Sequence, residues 1–150
     1  MLDISRFSMT NIRLAETPDA SQISELLAEL GYVASPALVK SKITVLAGSP
    51  TDLVLVAENE SVIAGVISLH VTELFHTAGR IGRITALVIA SDKRGEGVGK
   101  LLVEAADAFF RSTGCVRAEV TSGDHRPEAH MFYQTQGYLP DERRFVKRYG

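Results

Sequence analysis

Apolar positions along this chain switch between a period of two and a period near 3.6, and each switch marks a change of predicted element. Ile12 and Leu14 alternate with polar neighbours and predict a short first strand. Thr17-Pro18-Asp19 supplies a helix start: a hydroxyl cap, a proline in the first turn and an early acid. Ile23, Leu26, Leu27 and Leu30 form the apolar stripe of that helix, and Gly31 stops it. Ser35-Pro36 opens a second helix by the same logic, running to about Ala47. Leu53 to Ala57 and Val62 to His70 read as two strands of a hairpin across the turn Glu58–Ser61. Thr72 to Arg80 is polar, contains Gly79, and is expected to be a loop. Ile81 to Ile89 reads as a buried strand. A glycine-rich segment follows, then a helix from about Val98 to Thr113. Its buried face is assigned to Val98, Leu101, Leu102, Ala105 and Phe109, and Gly114 closes it. Val116 to Thr121 is a further strand, Pro127 starts a short helix ending near Gly137, and Phe145 to Tyr149 reads as a last strand. This order implies an α/β fold, a three-layer mixed β-sheet flanked by helices.

Composition narrows the function classes. The 150 residues fit one domain, 1–150, with residues 1–8 as a loose extension. The formal net charge of −2 argues against a nucleic-acid binder that works by bulk positive charge. No apolar run approaches the roughly 20 residues that cross a bilayer, so no membrane partner is expected. The N-terminus lacks the charged and apolar regions of a signal peptide. A lone cysteine, Cys115, excludes an intrachain disulfide, fits a reducing cytoplasm and reads as a small buried hydrophobe.

The sharpest chemical signal is Arg94-Gly95-Glu96-Gly97-Val98-Gly99-Lys100, at the junction of the strand ending at Ile89 and the helix opening near Val98. The first turn of a helix carries N–H groups without intrahelical acceptors, and the macrodipole adds partial positive charge there. Glycines allow that backbone to approach a ligand closely. Such a turn suits a phosphate or pyrophosphate. Two familiar phosphate loops fail here. A Walker A loop needs glycine where this chain has Arg94 and Ser or Thr where it has Leu101, and the dinucleotide fingerprint needs G-x-G-x-x-G where this chain has G-x-G-x-G.

At these residues the chain resembles the GNAT superfamily of N-acetyltransferases, whose pyrophosphate loop reads Gln/Arg-x-x-Gly-x-Gly/Ala and is matched by Arg94, Gly97 and Gly99. A second block agrees: Ala129-His130-Met131-Phe132-Tyr133 followed by Gly137-Tyr138 resembles the family's A-x-x-F-Y-x-x-x-G-F segment. The resemblance implies transfer of an acetyl group from acetyl-CoA to a primary amine of a small polar molecule. It implies that two parallel strands, Ile81 to Ile89 and Val116 to Thr121, splay around the pantetheine. The implied cofactor contacts are the backbone of Leu87 and Val88 and then Arg94, Gly95, Glu96, Gly97, Val98, Gly99 and Lys100. A backbone N–H near Leu87 or Val88 would steady the thioester oxyanion. Tyr133 matches a tyrosine placed near the CoA sulfur, as donor of a proton to the thiolate. The resemblance also implies a homodimer.

Many members of that family carry an acid on the strand before the loop, in a stretch like I-E-D-L-V-V, where this chain has Ile84-Thr85-Ala86-Leu87-Val88-Ile89. The amine's proton must then go elsewhere. His70, Glu73 and His76 are the first candidates, since resembling proteins build part of the acceptor pocket there; Asp124 and His125 are further ones. The missing acid also raises an alternative, an acyl-CoA-binding domain that senses without transferring. Arg126 stands where many relatives have an asparagine that touches the cofactor. The four histidines lack the spacing and the cysteine or carboxylate company of a metal site, and no metal is expected. Thr121-Ser122-Gly123, Arg126, Ala129-His130, Phe132-Tyr133 and Arg144-Phe145-Val146-Lys147 are similar to a branch that includes aminoalkylphosphonate N-acetyltransferases. That likeness implies a small polar amine that can carry a negative group, with Arg80, Arg83 or Arg126 to pair with that group.

Overall fold

Strand β1 (Thr10–Leu14) leads, by a single 3₁₀ turn at Thr17–Asp19, into helix α1 (Ala20–Glu29) and then α2 (Pro36–Ala47). Three long strands follow, β2 (Asp52–Asn59), β3 (Val62–Glu73) and β4 (Arg80–Ile89). After a second 3₁₀ turn come α3 (Val98–Ser112), β5 (Cys115–Val120) and α4 (Pro127–Thr135). The structure, a computed structural model, describes residues 10–120, 127–141 and 143–150. Among these residues one sheet forms, with its strands in chain order, β1-β2-β3-β4-β5. Neighbours are antiparallel except β4 and β5, which run parallel with α3 as their crossover. The expected mixed sheet between helices is what forms.

Side chains alternate across the strands and fill two cores. On one face Leu55, Ile67, Leu69 and Ile84 pack against Leu102, Ala106 and Phe110 of α3. On the other, Val56, Val66 and Val88 meet Ile23 and Leu26 of α1 and Val39 and Ile43 of α2. Each fully buried Leu, Ile or Val contributes about 1.5–3 kcal/mol of transfer free energy. The α3 face is turned from the expected one. Val98, Leu102, Ala106 and Phe110, four residues apart, face the sheet, whereas Leu101 is exposed and Ala105 and Phe109 are only half-buried. Apolar residues at 101–103, 105–106 and 109–110 fit either face, so packing decides. Gly82 of β4 makes the fit: a Cβ there would stand 2.5 Å from the Phe110 ring.

Other boundaries moved for physical reasons. β3 extends to Glu73 rather than stopping at His70, because Val71, Thr72 and Glu73 pair with Gly82, Ile81 and Arg80. The loop between β3 and β4 is therefore shorter than expected. The expected last strand does not form. Residues 143–150 have no strand pairing, and Phe145, Val146 and Tyr149 are exposed. Alternation provides a strand with a face, but it does not provide a neighbour. The start of the first helix is held by an ion-pair cluster. Asp19, 7% exposed, accepts two bonds from Arg13 at 2.8 and 2.9 Å and one from the Glu16 N–H at 2.7 Å. Arg13 also pairs with Glu58 of β2, tying β1, the turn and β2 together.

Those bonds to Arg13 hold the Asp19 carboxyl below its ordinary range, against the opposing effect of burial. A depressed carboxylate contributes stability above its unfolded pKa and loses it as pH falls through the folded value. Asp19→Asn is expected to cost about 2 kcal/mol at pH 7. The gap to wild type should narrow as pH falls below the ordinary aspartate value of about 4, as followed by urea unfolding at several pH values. Gly82→Ala is expected to cost about 1–3 kcal/mol in the same assay, since Phe110 must move.

Candidate active site

Pairing between β4 and β5 runs from Arg80↔Cys115 to Ile84↔Val120, where the described part of β5 ends. From Thr85 to Ile89, β4 has no strand neighbour on that side among the described residues. The exposed edge opens on a cleft of about 640 Å³ lined by Leu87, Val88 and Ile89. A β-bulge lies at the same point: Ser68 faces Ala86 and Leu69 faces Ile84, so Thr85 is the extra residue.

Beyond Ile89 the chain turns through Ser91–Lys93 and reaches the glycine segment, where Gly95 and Gly97 take left-handed φ values of 84° and 85°. A side chain at either would meet nothing within 4 Å, so glycine is required there by backbone conformation. Gly97 is the N-cap of α3, and no side chain caps the helix. The first-turn donors therefore face the cleft, whose rim holds Arg94, Gly95, Gly97, Val98, Gly99 and Lys100. Gly99 has a different task. A Cβ there would lie 3.0 Å from the Phe132 ring, so this glycine lets α4 close against the mouth of α3. Phe132 and Tyr133 of α4 line the far wall, with ring centroids 5.6 Å apart. The Tyr133 ring in turn meets Tyr138 edge-on at 6.3 Å. Burial, with help from Asp107 and Tyr133, pushes the Tyr138 phenol up to about 12, and its hydroxyl finds no hydrogen-bond partner among the described residues.

Of the residues expected from sequence, Leu87, Val88, Arg94, Gly95, Gly97, Val98, Gly99, Lys100 and Tyr133 come together around one cleft; Glu96 does not line it. Leu30, Lys93 and Gln136 also line the cleft and were not anticipated. Lys93 was readable, as a second cation beside Arg94. Leu30 arrives from the end of α1 by tertiary packing alone. Glu73 and His76 are not brought to the cleft. Glu73 is largely exposed and bonds Arg80 at 2.8 Å, and His76 is exposed in the β3–β4 turn. That turn precedes Arg80, at the opposite end of β4 from the cleft. His70 is instead embedded in a polar row. Its Nδ1 lies 2.6 Å from Asp52 and its Nε2 lies 2.7 Å from the Thr85 hydroxyl. Arg80 and Arg83 are already engaged, with Glu73 and Glu119. Thr121–Arg126, including Asp124 and His125, lie outside the described residues. Among the described residues no three His, Cys, Asp or Glu side chains converge as metal ligands. No helix among them is long and apolar enough to cross a membrane.

This geometry has counterparts. Over 85 residues the chain is 35% identical to an aminoalkylphosphonate N-acetyltransferase of Salmonella typhimurium, a match spanning 57% of this chain and 55% of that relative. The chain thus aligns with about half the length of this curated relative. A glucosamine-6-phosphate N-acetyltransferase from Arabidopsis thaliana superposes with a TM-score of 0.80 at 24% identity, covering 95% of this chain and 100% of that one. An aminoglycoside N-acetyltransferase in complex with CoA gives a TM-score of 0.80 at 14% identity, covering 93% and 94%. At those identities the two structures speak for the fold. The sequence model of the acetyltransferase (GNAT) family matches residues 12–138, and the chain belongs to that family.

Proposed function

We propose that this protein moves an acetyl group from acetyl-CoA to the primary amine of a small polar molecule by direct attack. Family membership makes acetyl-CoA the donor. The observation that carries the reading is the uncapped first turn of α3, opening on the same cleft as the β4 edge that has no strand neighbour among the described residues. The amides of Val98, Gly99 and Lys100 would hold the diphosphate, with Lys93 and Arg94 adding charge. The backbone of Leu87 and Val88 would align the pantetheine and steady the thioester oxygen as charge develops there. The amine nitrogen forms the new C–N bond, the C–S bond breaks, and the sulfur leaves with the electron pair. Tyr133, on the opposite wall, would give that thiolate its proton.

The acceptor is proposed as a small polar amine. The name of the Salmonella relative supports an amine carrying a negative group, and Arg126, outside the described residues, is the arginine proposed for it. Arg80 and Arg83 are already paired with Glu73 and Glu119. The proposal includes a cytoplasmic setting, supported by the lone Cys115, and no nucleic-acid partner, supported by the net charge of −2. It also includes a homodimer, supported by the outer edge of β5 and the exposed apolar tail residues Phe145, Val146 and Tyr149.

Thiol release from acetyl-CoA across a panel of aminoalkylphosphonates, amino acids and polyamines is expected to show turnover with at least one class. Silence on every amine, with CoA still bound, contradicts the reading. Tyr133→Phe is expected to lower kcat about 100-fold with little change in the KM for acetyl-CoA. An unchanged kcat removes the proton-donor role. Gly97→Ala is expected to weaken CoA binding about tenfold by calorimetry, because a left-handed N-cap costs an L residue about 1–2 kcal/mol. Undiminished affinity contradicts the assignment of the α3 mouth.

A further inference from the structure

Asp52, Ser68, His70 and Thr85 come from three strands and form one hydrogen-bonded row. Asp52 and His70 stand directly opposite each other on β2 and β3. Asp52 shares strand parity with Val54 and Val56, and Ser68 with Val66, so the row continues the sheet face that α1 and α2 cover. The Asp52 carboxylate accepts from the Ser49 hydroxyl at 2.6 Å and the Thr51 hydroxyl at 3.2 Å, and meets His70 Nδ1 at 2.6 Å. His70 Nε2 lies 2.7 Å from Thr85 Oγ1, which is also 2.7 Å from the Ser68 hydroxyl.

Donor counting fixes the direction of this row. An ionised carboxylate only accepts, so Nδ1 carries the ring proton and Nε2 presents its lone pair. The Thr85 O–H then donates to Nε2. Its oxygen accepts from Ser68 and keeps a second lone pair for a donor from outside the protein. Thr85 is exposed, it is the bulge residue, and it follows the last pair of the β4–β5 ladder. Leu87, two residues further along β4, already lines the cleft. The Thr85 hydroxyl thus stands on the same strand edge, two residues before the cleft lining begins at Leu87.

Resting on the acetyl-transfer reading, we propose that the Thr85 hydroxyl contacts the acceptor's ammonium group and relays its proton to His70, with Asp52 as the positioning residue. Thr85 Oγ takes one ammonium proton as its own O–H proton passes to Nε2. The products are a neutral amine with a free lone pair and an imidazolium facing the Asp52 carboxylate. After attack, the nitrogen sheds its second proton as the thiolate gains one. The net change is one ammonium and one thioester converted to one amide, one thiol and one proton released to water.

The remaining charges around His70 are spoken for. Arg83, its cross-strand partner on β4, bonds Glu119 of β5 at 3.0 Å. Helices α1 and α2, packed on β3 and β2, carry Glu25, Glu29, Lys40 and Lys42, all exposed, and Glu29 accepts from the Ser91 N–H. Asp52 is therefore the charged group bonded to the ring.

The test compares the full-length protein with His70→Gln, Asp52→Asn, Thr85→Val and Thr85→Ser. Readouts are the pH profile of kcat/KM and the CoA-induced shift in Tm, the latter confirming a folded, donor-binding protein. With an alkylamine, His70→Gln and Thr85→Val are expected to lose about 100-fold in kcat/KM and to lack the acidic limb of the profile. Thr85→Ser should stay within about threefold of wild type, since the relay needs only the hydroxyl. Asp52→Asn should lose about tenfold in kcat with the KM for acetyl-CoA unchanged, because the ring loses the carboxylate that fixes its tautomer. With an aromatic amine, already neutral at pH 7, the His70→Gln deficit should shrink at least about tenfold. A His70→Gln protein that keeps the acidic limb, or loses equally on both amines while still binding CoA, overturns the relay. A wild-type protein that binds CoA but acetylates no amine overturns the acetyl-transfer reading itself, a result distinct from either.

Discussion

A helix that begins on a left-handed glycine without a side-chain cap leaves its first N–H groups directed at whatever lies before it. In α3 that space is the cleft beside the end of β4, which is unpaired on that side among the described residues. The surrounding structure maintains this condition. β4 and β5 must be parallel for α3 to cross between them and start at the strands' C-terminal end. Val98, Leu102, Ala106 and Phe110 anchor the helix to the sheet, and Gly82 admits Phe110. Gly99 brings Phe132, and Tyr133 beside it, to the opposite wall. A donor-rich backbone, a strand edge and a phenol thus meet around one cleft.

Two of the sheet's three register shifts bear on the row of polar groups around His70. The β2–β3 hairpin starts with Asn59 opposite Val62 and then skips Ala64, so that Ala57 faces Gly65. Without that skip Asp52 would face Leu69, and His70 would lie out of phase. The bulge between β3 and β4 leaves Thr85 without a ladder partner, and its hydroxyl bonds Ser68 and His70 instead. Bulges re-aim single side chains at little cost to the ladder, and both here bear on the same row of polar groups.

These same irregularities limit what could be read in advance. The glycine loop and the Phe132-Tyr133 block were legible because each is local: a strand end, a turn and a helix start within a few residues. Order and type of the elements followed from periodicity, and the three-layer α/β arrangement followed from the order. The Asp52–His70 pair was not legible, since a one-residue skip hidden in an apolar run sets its register. Glu73 and His76 were candidates because resembling proteins build part of the acceptor pocket there; pairing carries β3 on to Glu73 and sets both at the end of β4 away from the cleft. The α3 face was ambiguous for a related reason, because doubled apolar positions leave packing to choose. In the tail, Phe145 to Tyr149 has the alternation of a strand and no strand beside it.

The central claim concerns backbone amides, so amide resonances report on it most directly. In a titration of the ¹⁵N-labelled protein with CoA, the largest shifts are expected at Gly95, Gly97, Val98, Gly99 and Lys100, with smaller ones at Leu87 and Val88. Saturation of binding with these amides unmoved, and the main shifts gathered elsewhere on the sheet, would contradict the account.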